Sequence, residues 1–160
     1  MAFHIREADI NDSPAILGLI QELATFEREP EAVEVTLEDI QSMGFGENPA
    51  FECLVATIDD RVVGMALYYP RFSTWKGPTL HLEDLIVTED HKGKGIGTAL
   101  YSQFISVAQA RGLRRIEWVV LDWNKPAVEF YEKSGAKVLA DWRTVQMDTV
   151  AMHAYLNNHK

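Results

Sequence analysis

The feature of this sequence that most constrains its fold is a glycine-rich segment between an apolar run and an amphipathic one. Residues 80–87 are predicted to form a strand, and Gly93, Gly95 and Gly97 follow it at alternate positions. A predicted helix comes next and ends at Gly112. This order gathers backbone amides at a helix N-terminus, where the helix dipole favours an anion. The segment therefore predicts a site for a diphosphate group, with a merely flexible glycine turn as the alternative.

The spacing of these glycines differs from that of two other phosphate-binding motifs. A dinucleotide-binding fold requires Gly-x-Gly-x-x-Gly after its first strand, and a P-loop ends in Gly-Lys-Ser/Thr. Neither pattern is present in this chain. His91, Lys92 and Lys94 add positive charge to the segment, although the chain as a whole is acidic.

Charge narrows the range of partners. The chain of 160 residues carries 24 acidic and 15 basic side chains, which gives a formal net charge of −9. A protein that neutralises phosphates needs a concentrated basic face, so we expect no nucleic-acid partner. The negative balance leaves room for cationic partners, and it also fits a role in solubility alone.

Cysteine and histidine usage bears on metal sites and compartment. Cys53 is the only cysteine, which excludes an intramolecular disulfide and thiolate-rich metal sites and fits a reducing, cytoplasmic location. His153 and His159 have poor spacing for metal ligands, so we expect no metal. No apolar run approaches the ~18–20 residues of a membrane span, so we expect no membrane partner.

The order of predicted elements indicates an α+β fold with a mixed, mostly antiparallel sheet flanked by helices, in one domain over residues 1–160. The predicted strands are 3–8, 51–58, 62–69, 80–87 and 116–121, with two more beginning at Lys137 and Thr144. The predicted helices follow caps at Ser13, Thr36 and Asn124, with one more helix after the glycines at 93–97. The helix capped by Thr36 ends near Gly44.

The spacing Lys92-x-x-Gly95-x-Gly97 resembles the GNAT superfamily of acetyl-CoA-dependent N-acetyltransferases, whose members place Gln/Arg-x-x-Gly-x-Gly/Ala at this junction. Lys92 departs from the usual Gln or Arg; because the family binds the diphosphate mainly through backbone amides, we expect only a modest change in affinity. Further segments resemble the diamine (spermidine/spermine) acetyltransferase branch in the same order: Leu23-Ala24, Phe26-Glu27, 44–47, 82–84, 95–97, Trp123-Asn124 with Pro126, Phe130-Tyr131, Gly135-Ala136 and Trp142-Arg143.

This resemblance implies an enzyme that moves acetyl from acetyl-CoA to a primary amine by direct transfer in a ternary complex. The implied acceptor is a small cation: a polyamine, a diamine or a lysine-like amino acid such as thialysine. The resemblance also implies a homodimer in which both subunits contribute to the acceptor sites. Two alternatives remain open: a protein lysine or N-terminal acetyltransferase, and a non-catalytic acyl-CoA-binding sensor.

The chemistry requires a base and an acid. A primary ammonium with a pKa near ~10.4 is only about 0.1% neutral at physiological pH, a cost of roughly 4 kcal/mol. Adjacent residues of a regular strand face opposite ways, so we expect only one of Glu83 and Asp84 to face the acceptor. The resemblance selects Glu83, as a base acting directly or through water and as an anchor for the cation. It selects Tyr131 as the general acid that protonates the departing thiolate.

The remaining candidate residues come partly from the resemblance and partly from the chemistry of the residues themselves. The main chain of Leu85, Ile86 and Val87 is expected to hold the acetyl and pantetheine groups, and Asn124 is both a helix cap and a cofactor contact. The other expected cofactor-binding residues are Lys92, Gly93, Lys94, Gly95, Ile96, Gly97 and Tyr131. The candidate acceptor-binding residues are Glu27, Glu47, Trp75, Glu83, Asp141 and Trp142, which suit an extended cation.

Two departures from the polyamine enzymes keep the acceptor open. Those enzymes carry an acidic residue near the position of Trp75, where this chain has Ser73 and Thr74, and the segment before Trp142 is shorter in this chain. A smaller diamine or a lysine-like amino acid therefore stays a candidate. Cys53 lies in an apolar run without a base partner in the sequence, so we expect it to be a packing residue and not a nucleophile.

Overall fold

The computed structural model describes residues 2–159. The chain divides into two compact units, one that ends at Val119 and one that begins at Val120. Each unit is described by itself, and a single domain over the whole chain remains a prediction. No helix among residues 2–159 is both long enough and apolar enough to cross a bilayer.

The first unit contains the sheet. Its strands are β1 (His4–Glu7), β2 (Glu52–Ile58), β3 (Arg61–Ser73), β4 (Gly77–Val87) and β5 (Ile116–Glu117). Its α-helices are α1 (Ser13–Phe26), α2 (Leu37–Phe45) and α3 (Ile96–Ala110), and two short 3₁₀ turns cover Ile10–Asp12 and Glu89–His91. The second unit contributes α4 (Lys125–Lys133) and α5 (Thr149–Asn158).

The strands lie in the order β1-β2-β3-β4-β5, as in the chain. Neighbours from β1 to β4 are antiparallel, whereas β4 and β5 are parallel and pair only at Leu80 with Ile116 and His81 with Glu117. The predicted class, an α+β fold with a mostly antiparallel sheet, is confirmed. The predicted order of strand, glycine segment and helix is also present, as β4, residues 88–95 and α3.

The sheet separates two helical layers. Leu67 of β3 belongs to an apolar cluster with Ile16 of α1 and Ile40 of α2, so these helices cover one face. The next residue, Tyr68, points the other way, and its ring centroid lies 5.0 Å from that of Phe104 in α3. The functional candidates on β4 can therefore be assigned to a face by following the strand register.

Local signals in the sequence account for several element boundaries. Thr36 is the predicted cap of α2, and it forms a capping box with Asp39. Asp59 and Asp60 both have positive φ, 48° and 62°, which is the conformation that a two-residue hairpin turn between β2 and β3 requires. The cap predicted at Ser13 is wrong: Ser13 is the first residue of α1, and its hydroxyl donates to the Ile10 carbonyl at 2.7 Å.

The predictions for the C-terminal third are less accurate. The strand predicted over 116–121 is only the two-residue β5, and no strand begins at Lys137 or Thr144 within the described residues. The segment after α4 is irregular and exposed instead, and Val145 is 93% exposed. Helix α5 has no counterpart in the prediction, although Asp148 caps it by accepting from the Ala151 amide at 2.8 Å. An apolar run forms a strand only where a neighbouring strand supplies hydrogen bonds.

Candidate active site

The acidic part of the site depends on an irregularity in β4. Leu67 of β3 lies opposite Asp84, whereas the next residue, Tyr68, lies opposite Leu82. Glu83 is therefore an extra residue without a partner across the ladder. Such a β-bulge interrupts the regular alternation of side chains along a strand and redirects one of them.

The bulge places Glu83 and Asp84 on the same face of the sheet. Residues directly opposite each other in an antiparallel pair share a face, so Asp84 points with Leu67 towards α1 and α2. Tyr69 and its partner His81 point to that face too, and Glu83 follows His81 by two residues. The expectation that Glu83 and Asp84 face opposite ways is therefore wrong, because it assumes an unbroken period of two.

Three acidic side chains, Glu27, Glu83 and Asp84, form what we call the carboxylate cluster. Burial, together with the charges of Glu83 and Glu27, raises the pKa of Asp84 to about 7. Burial and the charge of Glu83 also raise the pKa of Glu27, which caps the C-terminal end of α1. The Glu83 side chain is 48% exposed. The cluster thus holds one carboxyl group that exchanges a proton near neutral pH and a more exposed one beside it.

The structure brings Glu27 and Glu83 together, as two of the candidates selected from the sequence. Asp84 is not among those candidates. The only sequence signal for Asp84 is that it adjoins Glu83 on a predicted strand. Because neighbouring residues of a regular strand point to opposite faces, only one of the two is expected at the site. Nothing in this stretch of sequence indicates a bulge, so the sequence alone does not predict that both carboxylates belong to the site.

The glycine segment has the geometry of an anion site. Gly93 and Gly95 adopt φ values of 77° and 82°, and a Cβ at either position would meet no atom within 4 Å beyond its chain neighbours. Gly95 is the N-cap of α3, and the first amide to bond back into the helix is that of Ala99, to the Gly95 carbonyl at 3.0 Å. The amides of residues 96–98 therefore lack a helical acceptor. These amides, the open space at Gly93 and Gly95 and the helix dipole fit a diphosphate group.

A side chain of the glycine segment contacts α1 next to the carboxylate cluster. Lys92 Nζ lies 2.8 Å from the Glu89 carboxylate and 5.0 Å from the centre of the Phe26 ring, and Phe26 immediately precedes Glu27. Lys94 Nζ donates to His91 Nδ1 at 3.1 Å. The first unit thus places an anion-binding helix end beside a group of carboxylates.

The strand edge between these two parts is open. Leu85, Ile86 and Val87 pair with β3 on one side, and on the other side β5 pairs only with Leu80 and His81. Within residues 2–119 no strand pairs with the second edge of Leu85–Val87. Its main-chain groups are available to a ligand that runs along the strand, which is the role the resemblance implies for them.

Two further candidates lie on α4 in the second unit. Asn124 is the predicted cap, and its side-chain oxygen accepts from the Ala127 amide at 3.4 Å. Tyr131 is half-buried, with its ring 5.6 Å from that of Phe130. The cap is confirmed, and the cofactor and catalytic roles of these residues stay predictions.

The other acceptor candidates are exposed. Asp141 and Trp142 lie in the irregular segment between α4 and α5, and Glu47 follows α2. Trp75 is 76% exposed at the turn between β3 and β4. Glu83 is six residues along β4 from the end of that turn, a distance of about 20 Å. Trp75 therefore does not belong to the carboxylate cluster, and its role in acceptor binding stays a prediction.

Cys53 behaves as a packing residue. It belongs to the apolar cluster beneath α1 and α2. Burial, with the charges of Asp12 and Asp84, raises the pKa of its thiol to about 12. A thiol that stays protonated is a poor nucleophile, in agreement with the role predicted for it.

Comparison with known proteins identifies the family. Residues 14–136 match the acetyltransferase (GNAT) family. The chain is 38% identical over 159 residues to the thialysine N-epsilon-acetyltransferase of Sus scrofa, covering 92% of this chain and 94% of that protein. It is 37% identical over 141 residues to the spermidine/spermine N(1)-acetyltransferase-like protein 1 of Homo sapiens, covering 84% of this chain and 20% of that protein.

A solved structure agrees on the fold. An integron cassette protein from the mobile metagenome of V. cholerae superposes with a TM-score of 0.79 at 22% identity, over 98% of each chain. The family match, the fold and the glycine segment together define an acyl-CoA-dependent acyltransferase. This chain belongs to the GNAT acetyltransferase family and is an acetyltransferase, and acetyl-CoA is the co-substrate that the family uses. The resemblance to the diamine acetyltransferase branch is confirmed as well.

The glycine segment can be tested with a matched pair of variants. Gly95 and Gly112 stand at opposite ends of α3, both have positive φ, and a methyl group added at either position would meet no atom within 4 Å beyond its chain neighbours. Alanine at either position should cost about 1–2 kcal/mol of folding free energy. Gly95→Ala should also weaken acetyl-CoA binding about tenfold or more, through lost amide contacts to the diphosphate.

Thermal melts and calorimetric titration with acetyl-CoA measure the two effects separately. Gly112→Ala should show the melting shift with unchanged affinity. Equal affinities for the two variants would contradict a diphosphate site at the start of α3.

Proposed function

We propose that this enzyme transfers acetyl from acetyl-CoA to a primary amine of a small cationic acceptor: a diamine, a polyamine or a lysine-like amino acid such as thialysine. The observation that carries the proposal is the carboxylate cluster beside the anion-binding end of α3. Three acidic groups in a half-buried place repel one another, which is why the pKa values of Asp84 and Glu27 are raised beyond the effect of burial. A cationic acceptor relieves that repulsion. The names of the relatives, which refer to thialysine and to spermidine/spermine, support the same class.

The residues present fit acetyl-CoA. The co-substrate supplies an activated acetyl thioester. In this proposal the amides at the start of α3 hold its diphosphate, with Lys92 and Lys94 adding positive charge. The open edge of Leu85–Val87 holds the pantetheine and acetyl groups, and Asn124 contributes a further contact.

We assign different tasks to the two carboxylates of the bulge. Glu83, the more exposed, anchors the cationic acceptor. Asp84 accepts the proton of the attacking ammonium, because a group with a pKa of about 7 is well matched to proton transfer near neutral pH. The sequence leaves open whether Glu83 is base or anchor, and the deeper burial of Asp84 favours this division of tasks. Tyr131 protonates the departing thiolate, a role that rests on the family resemblance.

The homodimer and the cytoplasmic location are part of the proposal. Large apolar side chains are exposed between residues 138 and 156, and they include Trp142 at 69% and Val150 at 77%. Their exposure is costly in water and supports burial against a second copy of the chain. The cysteine count supports a reducing compartment.

The proposed dimer can be tested by light scattering. The measured mass should be twice the chain mass of 18.1 kDa, and a monomer at micromolar concentration would count against the dimer.

The acceptor class is tested by thiol release from acetyl-CoA with a panel of amines. We expect turnover with spermidine, short diamines and thialysine, and a much lower kcat/KM with a primary amine that has no second charge. Acetylation of protein lysines with all small amines inert would support a protein acceptor, and acetyl-CoA binding without turnover on any amine would support a sensor.

The proposed role of Tyr131 as general acid has its own test. Tyr131→Phe should lower kcat at unchanged acetyl-CoA affinity.

The division between Glu83 and Asp84 predicts different pH profiles. Wild-type kcat/KM should fall below about pH 7, because kcat/KM reports the free enzyme and Asp84 becomes protonated there. Asp84→Asn should lower kcat by about 10²-fold or more and remove that limb. Glu83→Gln should keep the limb, shifted to lower pH because one charge that raises the pKa of Asp84 is lost, and should raise KM for the amine. If Glu83→Gln lost the limb and Asp84→Asn kept it, the general base would be Glu83 and not Asp84.

Stability gives an independent check on Asp84. Because its folded pKa is raised, its contribution to stability is fully present below its unfolded pKa and is lost as pH rises through about 7. Asp84→Asn, which cannot ionise, should therefore be stabilised relative to wild type at pH 8 and much less so at pH 5. Urea unfolding at the two pH values measures the difference.

A further inference from the structure

A buried histidine lies behind the Glu83 carboxylate. His81 is two residues before Glu83 on β4, and its side chain is 10% exposed. One ring nitrogen, Nε2, lies 3.8 Å from Glu83 Oε2. The other, Nδ1, lies 3.2 Å from the Arg71 guanidinium on β3. The ring stands between a permanent cation and the proposed anchor of the acceptor.

Arg71 determines which nitrogen of His81 carries the proton. A guanidinium can only donate, so a hydrogen bond from Arg71 requires Nδ1 to be unprotonated. The neutral ring must then hold its proton on Nε2, the atom that faces Glu83. Arg71 is itself fixed by Glu117 of β5, whose carboxylate oxygen lies 2.6 Å from the same guanidinium nitrogen.

The surroundings of His81 favour the neutral ring. Burial is the largest cause that lowers its pKa; Arg71 lowers it further, and the charges of Glu83 and Glu117 oppose this. On the neighbouring strand the Tyr69 ring packs against it at 5.2 Å between centroids. Tyr69 is itself titratable: burial, the charge of Glu83 and a hydrogen bond with that carboxylate raise its pKa. The charged groups near these residues are Arg115, which lies 3.6 Å from Glu117, and the acidic Glu27 and Asp84.

From this geometry we infer that His81 is a positioning residue, held by Arg71 as the neutral Nε2–H tautomer so that it orients the Glu83 carboxylate without cancelling its charge. The inference rests on the proposed role of Glu83 as the anchor of the acceptor. A lysine or arginine at this position would neutralise the anion that attracts the amine. At 3.8 Å the contact is a charge–dipole interaction, longer than a hydrogen bond. Protonation of His81 in acid forms a full ion pair with Glu83 and weakens acceptor binding.

The first test determines the tautomer of the His81 ring and does not depend on enzymatic activity. Long-range ¹H–¹⁵N spectra of the ¹⁵N-histidine-labelled protein distinguish Nε2–H from Nδ1–H, and the His81→Gln variant identifies the signal. We expect the Nε2–H form, titrating below the usual ~6.5. Arg71→Met should raise the pKa of His81 and mix the two tautomers. An Nδ1–H form in the wild type, or an Arg71→Met spectrum identical to it, would overturn the inference.

The second test measures KM for the amine. His81→Phe keeps a ring and removes the donor, so KM should rise about two- to fivefold with kcat nearly unchanged. His81→Gln retains an amide donor and cannot titrate, so KM at pH 7.5 should be close to that of the wild type. The rise in KM expected in acid should become smaller, with the part due to protonation of Asp84 remaining. His4→Phe, at an exposed histidine of β1, is the matched control and should leave KM unchanged.

The outcomes separate this inference from the proposed function. Unchanged KM in a folded His81→Phe enzyme, or a His81→Gln enzyme as impaired as His81→Phe, would overturn the positioning role while acetyl transfer to amines stands. If no small amine is a substrate, the proposed function fails, and the spectra still decide whether Arg71 holds His81 as the Nε2–H tautomer beside Glu83.

Discussion

The constraint on which the site depends is the single extra residue in β4. A regular strand would point Asp84 away from Glu83 and towards the face where Leu82 and Tyr68 pack beneath α3. The bulge turns Asp84 onto the other face, next to Glu83 and Glu27. Its high pKa follows from that placement, because burial and two negative neighbours both disfavour the charged form. One backbone irregularity thus converts two sequential carboxylates into a coupled pair.

The first unit separates two kinds of charge along one strand and loop. At the end of β4 the glycine segment offers free amides and a helix dipole to an anion, and a few residues earlier the carboxylate cluster offers negative charge to a cation. Among the described residues, contacts between the glycine segment and α1 include Lys92 over the Phe26 ring and Thr88, whose hydroxyl donates to Glu22 at 2.8 Å. This arrangement suits an enzyme that must hold an anionic nucleotide thioester and a cationic amine close together.

Local signals predict much of the first unit. The Thr36–Asp39 capping box, the turn at Asp59 and Asp60, and the glycine segment each act through neighbours within a few residues, so they can be read directly from the chain. The strands predicted from Lys137 and Thr144 fail for the opposite reason. A strand needs a partner distant in sequence, and nothing within the segment shows whether one is present.

The family, the mostly antiparallel fold and the position of the anion-binding helix end can all be predicted from the amino-acid sequence. The helix end is predictable because glycines at fixed spacing between a strand and a helix impose a backbone shape with little help from elsewhere. The grouping of the carboxylates and the orientation of the His81 ring become visible only in the folded chain. Those depend on the register between β3 and β4 and on Arg71 reaching across it, and register is a property of two paired strands that neither strand contains alone.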